Sequence, residues 1–340
     1  MNIAIAGAGW YGCHIASTLK GFNATVKIFE KNNDIFLESS SNNQFRLHQG
    51  LHYARSSLTR HQSRDGFLRF SERYPAFSKP ISENYYLVPK YESLIDFGTY
   101  FSIMFSSGID IEKCDLNNLK YLDKTKFEGM LKCSEKILLN NKAKDYFSTL
   151  LQSNLYTNTK ITNVEEIDNK VLVNNEPFDY LIDATWGALE NNKECYYEST
   201  LLLYYETDIE FPAITLVDGN LWSIYPTETE GLYTLSSVTH TPLGTYDNKD
   251  AAYSRLNSIS TEEINAIRQL MEAQVIEYFP TFNEYFRFKG PQFSTKTKPI
   301  GKVDNRHASV VRNNNIFRIN SGKVDNIFHA SDYILGQIFT

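Results

Sequence analysis

Residues 2–30 read NIAIAGAGWYGCHIASTLKGFNATVKIFE, and this stretch decides the fold. Asn2 to Ala6 is a short apolar run that suits a buried parallel strand. Gly7, Gly9 and Gly12 follow in the pattern G-x-G-x-x-G. A helical run through Ile15, Ala16 and Leu19 comes next, then a second strand from Thr25 to Phe29, with Glu30 at its end. Each glycine has a physical task. Gly7 allows the tight turn, Gly9 lets the backbone approach a pyrophosphate, and Gly12 lets the helix pack close on the strand. The helix start offers free N–H groups to phosphate oxygens. Glu30 is placed to accept hydrogen bonds from a ribose. The carboxylate disfavours a 2′-phosphate and therefore NADP, while FAD and NAD both remain.

Composition sets the outer bounds. The 340 residues suffice for two domains or one large one. The net charge is −6, with 34 basic and 40 acidic residues and no basic block, so nothing points to nucleic acid. Cys13, Cys114, Cys133 and Cys195 form no CxxC pair and no metal spacing, which fits a reducing cytoplasm. The first strand begins at residue 2, so no signal peptide is expected, and no apolar run approaches the ~20 residues of a membrane span. These features imply a cytoplasmic protein acting on a small molecule. Tyr and Phe, 22 of each, suit either an aromatic pocket or a large sheet core.

Ser39 to Ser56 (SSSNNQFRLHQGLHYARS) is a long polar loop, and a loop this long in a compact protein is usually functional. Helices are expected over His61–Tyr74, Glu92–Ser106 and Lys142–Ser153. Strands are expected over Asn84–Pro89, Lys160–Ile167, Lys170–Val173 and Phe178–Ala184. FDYLIDATWG, Phe178 to Gly187, ends in small residues, as at the carboxyl edge of a parallel sheet where ligands bind. Tyr197 to Thr239 alternates like antiparallel sheet. A helix over Thr261–Phe279 would take Thr261 as its N-cap. Ile316–Ile319 is a last strand, followed by Ser321-Gly322-Lys323 and a closing helix from Asp325 to about Ile338.

Four pieces together resemble the FAD-dependent oxidoreductases of the D-amino-acid oxidase type. They are Gly7, Gly9, Gly12 with Glu30; Ser40-Ser41-x-Asn43-Gln44-x-x-Leu47-His48-x-Gly50-x-x-Tyr53; DATWG at Asp183–Gly187; and Ser321-Gly322-Lys323. The second is similar to the loop that runs past the pyrophosphate and along the isoalloxazine ring in the 2-hydroxyglutarate and glycerol-3-phosphate dehydrogenases. The chain departs from the pattern at Trp186, bulky where small residues are usual, at Phe45-Arg46, and in keeping only Gly322 of the closing glycine-rich motif.

The resemblance implies an α/β fold: a Rossmann-like FAD-binding domain with an inserted, mainly antiparallel β-sheet substrate domain. The expected division is 1–75, 140–195 and 300–340 for FAD, and 76–139 with 196–299 for substrate. It implies FAD contacts from Gly7, Ala8, Gly9, Trp10, Tyr11, Gly12, Glu30, Lys31, Ser40, Ser41, Asn43 and His48. A second group would be Ala184, Thr185, Trp186, Gly187, Ser321, Gly322, Lys323 and Val324.

Flavin carries the redox chemistry, so few catalytic side chains are needed. The cations Arg46, Lys296, Lys298 and Arg306 are candidates to hold an anionic substrate. His48, Arg46 and His52 are the expected catalytic residues, and Arg46, Tyr53, Tyr225 and Lys298 the expected substrate contacts. His48 and His52 lie four apart, but Gly50 between them and the lack of a third ligand argue against zinc. The implied reaction is oxidation of a C–H bond next to an amine or hydroxyl. The alternatives are a flavin-dependent non-redox enzyme such as a nucleotide-sugar mutase, or an inactive FAD-binding protein.

Overall fold

The computed structural model describes residues 1–189, 195–301, 306–320 and 322–339. The first strand, Asn2–Ala6, lies inside a six-stranded sheet. It pairs in parallel with Thr25–Phe29 on one side and Tyr180–Asp183 on the other. Ile3, Ala4, Ile5 and Ala6 are all buried. Both faces of the strand are covered, which is why the run is apolar without alternation. Ile316–Asn320 joins the same sheet in parallel beside Tyr180–Asp183, so the end of the chain returns to its beginning. Ser309–Asn313 adds an antiparallel edge, and Leu155–Tyr156 the opposite edge.

The helix Trp10–Leu19 packs against this sheet through Ile15, Ala16 and Leu19. Trp10 is the hub of an aromatic cluster, edge-on to Phe36, Phe70 and Phe147. Its Nε1 donates to Asn140 Oδ1 at 3.1 Å, so the one polar atom of the buried indole is satisfied. Burial pushes the Cys13 thiol up, so this first-turn cysteine is a packing residue.

The second large sheet is mostly antiparallel. Its spine is the long strand Cys195–Glu206, paired along its length with Arg287–Pro299. Met271, Val275, Tyr278 and Phe279 close one face against Leu201, Leu203, Trp222 and Leu235. Arg287–Pro299 has no strand signature, since it holds Gly290, Pro291 and four basic residues. It tolerates Pro291 because Cys195–Glu206 is its only paired neighbour among the described residues, and an edge strand need not donate on its free side.

Several boundaries move. The N-cap of Thr261–Ile276 is Ser260, whose Oγ accepts from Glu263 N at 3.2 Å, not Thr261. The helix expected from Glu92 starts at Phe97, where Asp96 caps it by accepting from Thr99 N at 2.9 Å. The loop Ser39–Ser56 contains a short strand, Arg46–Leu47, paired with Lys136–Leu138. That pairing anchors the loop between the two sheets. Among the described residues no helix is long and apolar enough to cross a membrane.

Candidate functional site

A cleft of about 1100 Å³ opens at the carboxyl edge of the parallel sheet. Gly7, Ala8, Gly9, Trp10, Tyr11, Glu30, Lys31, Ser40, Ala184, Thr185, Trp186, Gly322 and Val324 line it, all expected from the sequence. Gly12, Ser41, Asn43, His48, Gly187 and Lys323 do not line it. Ser321 lies outside the described residues.

The turn is built by close approach. A Cβ on Gly12 would sit 2.0 Å from Gly7 O, and one on Gly9 would sit 2.6 Å from Ser40 Oγ. Ser40 Oγ accepts from Trp10 N at 3.1 Å, which brings a hydroxyl from the long loop over the helix start. Asn43 shapes that loop from behind. Its Nδ2 donates to Ser39 O and Ser40 O, both at 2.9 Å. Glu30 is buried and already engaged. Oε2 accepts from Ala8 N and Oε1 from Asn32 N, each at 2.9 Å. A carboxylate has about four acceptor positions, so capacity for a ribose remains. The cradle fits a dinucleotide: glycines where a side chain would block the approach, a helix start facing the cleft, and an acidic group at the second strand end.

Beyond the cleft, the loop residues meet two further elements. His48 is buried. Its Nδ1 accepts from Gly50 N at 3.1 Å, so a neutral ring carries its proton on Nε2. That nitrogen lies 2.5 Å from Lys323 Nζ. Two donors face each other there, so the contact is satisfied only when one of the pair releases its proton. Burial, then the Lys323 charge, holds the imidazole well below the usual histidine range. Lys323 also sits 4.3 Å above the Tyr53 ring, which places Tyr53 beside the pair.

Arg46 and His52 belong to a buried chain of hydrogen bonds. Arg46 Nη1 donates to His52 Nε2 at 2.7 Å and to Thr215 Oγ1 at 2.8 Å. With Nε2 accepting, His52 donates from Nδ1 to Tyr86 Oη at 3.0 Å. Tyr86 in turn donates to Glu135 Oε2 at 3.0 Å. The guanidinium lies 4.0 Å from the Tyr225 ring centre. Arg46 Nε and Nη2 are buried with no hydrogen-bond partner among the described residues. Burial raises the Glu135 carboxyl, and the Arg46 charge opposes that rise.

The strand Arg287–Pro299 brings the other cations. Lys298 Nζ is paired with Glu198 Oε2 at 2.5 Å. Lys296 has no hydrogen-bond or carboxylate partner among the described residues. It is half-buried, and burial pushes its ammonium down to about 8. The charges of Lys323 and Arg306 are among its neighbours. The sequence brought Lys296 to notice only as one of four cations, because the strand that aims it was not visible.

No family model matches the sequence. The chain is 47% identical to the FAD-dependent monooxygenase FPY4 of Fusarium mangiferae, over 99% of this chain and 91% of that protein. The chain belongs to the FAD-dependent monooxygenases. FAD is the cofactor of the enzyme. The FAD-dependent monooxygenase kojA of Aspergillus flavus is 24% identical over 99% of the enzyme and 86% of its own length. Among solved structures, glycine oxidase from Geobacillus kaustophilus superposes with a TM-score of 0.74 at 13% identity, covering 99% of this chain and 93% of that one. The L-α-glycerophosphate oxidase of Mycoplasma pneumoniae, solved with FAD bound, gives 0.74 at 14% identity, covering 98% and 94%. These structural likenesses establish the fold of the enzyme.

Proposed function

We propose that the enzyme oxidises a C–H bond next to a nitrogen or oxygen in a small anionic molecule. When bound, FAD supplies the two-electron acceptor, with hydride passing to flavin N5. The residues lining the cleft around Gly7–Trp10, Glu30, Ser40 and Ala184–Trp186 would hold the cofactor, with Gly322 to Val324 toward its flavin end. The supporting domain division is a cofactor unit of 1–75, 140–195 and 300–340, and a substrate unit of 76–139 and 196–299.

The observation that carries this reading is the convergence of Lys296, Lys323 and His48 from three separate parts of the chain. Lys296 is a half-buried ammonium without a carboxylate partner among the described residues, so an anionic substrate group would compensate it. His48 would accept the proton of the substrate N–H or O–H, since burial beside Lys323 keeps its ring uncharged beforehand. Arg46 would act from behind. The unmatched Nε–Nη2 edge is the one that grips a carboxylate or carbonyl in bidentate fashion.

The test is anaerobic mixing of the holoenzyme with a panel of amino acids, hydroxy acids and sugar-derived acids. Bleaching of the flavin by an anionic member supports the reading. Bleaching only by neutral or cationic compounds would overturn the anionic part. A second reading, insertion of oxygen into the product, is favoured by the name of the 47% identical relative. Turnover under isotopically labelled dioxygen separates the two, because only the second puts the label in the product.

A further inference from the structure

The helix Lys249–Ser258 is a distant insertion relative to the glycine-rich turn. It follows the strand Pro242–Tyr246, at the edge of the antiparallel sheet. Even so, Lys249 lines the same cleft as Gly9, Trp10 and Ser40. Its placement is costly in two ways. A cation in the first turn opposes the helix dipole. The side chain is also enclosed, and burial lowers its ammonium from the ordinary lysine range. Its only hydrogen bond among the described residues runs to a neutral acceptor, Thr185 O, at 3.2 Å. No carboxylate among the described residues lies within ion-pair distance of it. The nearby Glu38 is engaged with Lys31 at 2.8 Å and with the Tyr253 hydroxyl. An enclosed cation hydrogen-bonded only to a carbonyl, with the Tyr253 ring 5.9 Å away, lacks a paired anion.

The opposite imbalance stands across the cleft. The first turn of Trp10–Leu19 contains no basic side chain. A helix start contributes only about half a positive charge. A dinucleotide pyrophosphate carries two negative charges, so that turn alone leaves most of them unmatched. We propose that Lys249 supplies the full positive charge for the pyrophosphate of FAD, from a helix outside the nucleotide-binding sheet. The cofactor then ties this helix to the glycine-rich turn. Glu38 has a supporting part. Bonded to Lys31 and Tyr253, it acts on Lys249 through its charge alone and forms no ion pair with it among the described residues. Of the other lysines in the cleft, Lys31 is paired and Lys160 is exposed.

This inference rests on FAD occupying the cleft, and the experiment keeps the two separable. Wild type, Lys249→Met, Lys249→Arg and Lys31→Met are purified as holoprotein. FAD release is followed by the rise in free-flavin fluorescence on dilution, at several salt concentrations. The expected result is that Lys249→Met raises the FAD dissociation constant about tenfold or more, the range of a charge-assisted hydrogen bond. Its salt dependence should flatten. Lys249→Arg should stay close to wild type, and Lys31→Met should lose less than Lys249→Met. The melting temperature of flavin-free Lys249→Met should equal or exceed that of flavin-free wild type. If Lys249→Met holds FAD as tightly as wild type, or Lys249→Arg loosens it equally, the proposal fails. A lower melting temperature for flavin-free Lys249→Met would overturn it in favour of packing. A wild type that binds no flavin would instead overturn the cofactor assignment itself.

Discussion

The indole of Trp186 lies so close to Gly322 that a Cβ on Gly322 would sit 2.0 Å from Cζ2. Trp186 occupies the left-handed region at φ +56, an unfavourable place for a bulky residue. Thr297 Oγ1 donates to its carbonyl and holds it there. The two departures from the family pattern are therefore one feature: the bulky residue and the remaining glycine fit each other. Gly322→Ala should push the ring into the cleft and weaken FAD binding about tenfold or more, the result of overpacking by ~1–3 kcal/mol. Trp186→Ala in the same chain should restore much of the loss. Flavin fluorescence titration of the two single variants and the double variant checks this, and additive losses would disprove the coupling.

Glu30→Ala should act on two quantities at once. It removes the acceptor of two backbone N–H groups, Ala8 and Asn32. An orphaned buried donor costs about 1–3 kcal/mol, so the flavin-free protein should melt earlier. FAD affinity should fall by a similar ~1–3 kcal/mol if the carboxylate also holds the ribose. Calorimetry of both forms separates the two effects. Loss of stability without loss of affinity would confine Glu30 to the turn.

His48 and Arg46 should separate by phenotype. His48→Ala should lower kcat by roughly 10²–10⁴ while FAD stays bound, as expected when a proton acceptor is removed. Arg46→Ala should unsettle the fold. It deletes the cation that faces buried Glu135 through His52 and Tyr86. Breaking such a buried charge pair costs about 3–5 kcal/mol. Adding Glu135→Gln should recover part of that stability, because the uncompensated carboxylate is then gone. Equal melting temperatures for wild type and Arg46→Ala would show that this network carries no weight.

The cofactor side of the molecule was legible because its signals are local. The turn at Gly7–Gly12 and the strand end at Ala184–Trp186 each occupy a few consecutive residues, and both line the cleft. The substrate side was not, because its geometry comes from pairing over long distances. Lys296 is carried by a strand whose paired neighbour, Cys195–Glu206, lies about a hundred residues earlier. Its own Pro and Lys content hid it. Arg46 was found but its setting was not. Tyr86 and Thr215 reach it from strands, and Glu135 reaches Tyr86 from the turn between two others, none of which any spacing in the loop could indicate. Lys249 sits in an unremarked segment and enters the cleft only through tertiary packing.

Lys296 yields the prediction with a pH signature. Burial lowers its ammonium from 10.5 to about 8. If it holds the substrate anion, KM should rise as pH climbs through about 8, where the side chain loses its charge. Lys296→Met should raise KM at neutral pH, leave FAD binding unchanged, and remove that rise. Stability should follow the opposite course. Between pH 8 and 10.5 the unfolded chain keeps a proton on this lysine that the folded protein has released. The unfolded state then binds more protons, so the lysine's contribution to folding stability increases with pH across that window. Denaturant melts of wild type and Lys296→Met at pH 7.5 and pH 9.5 should therefore differ in slope, with the wild type gaining relative to the variant. A KM flat through pH 8 in the wild type would remove Lys296 from the substrate, even if the stability slopes differ as expected.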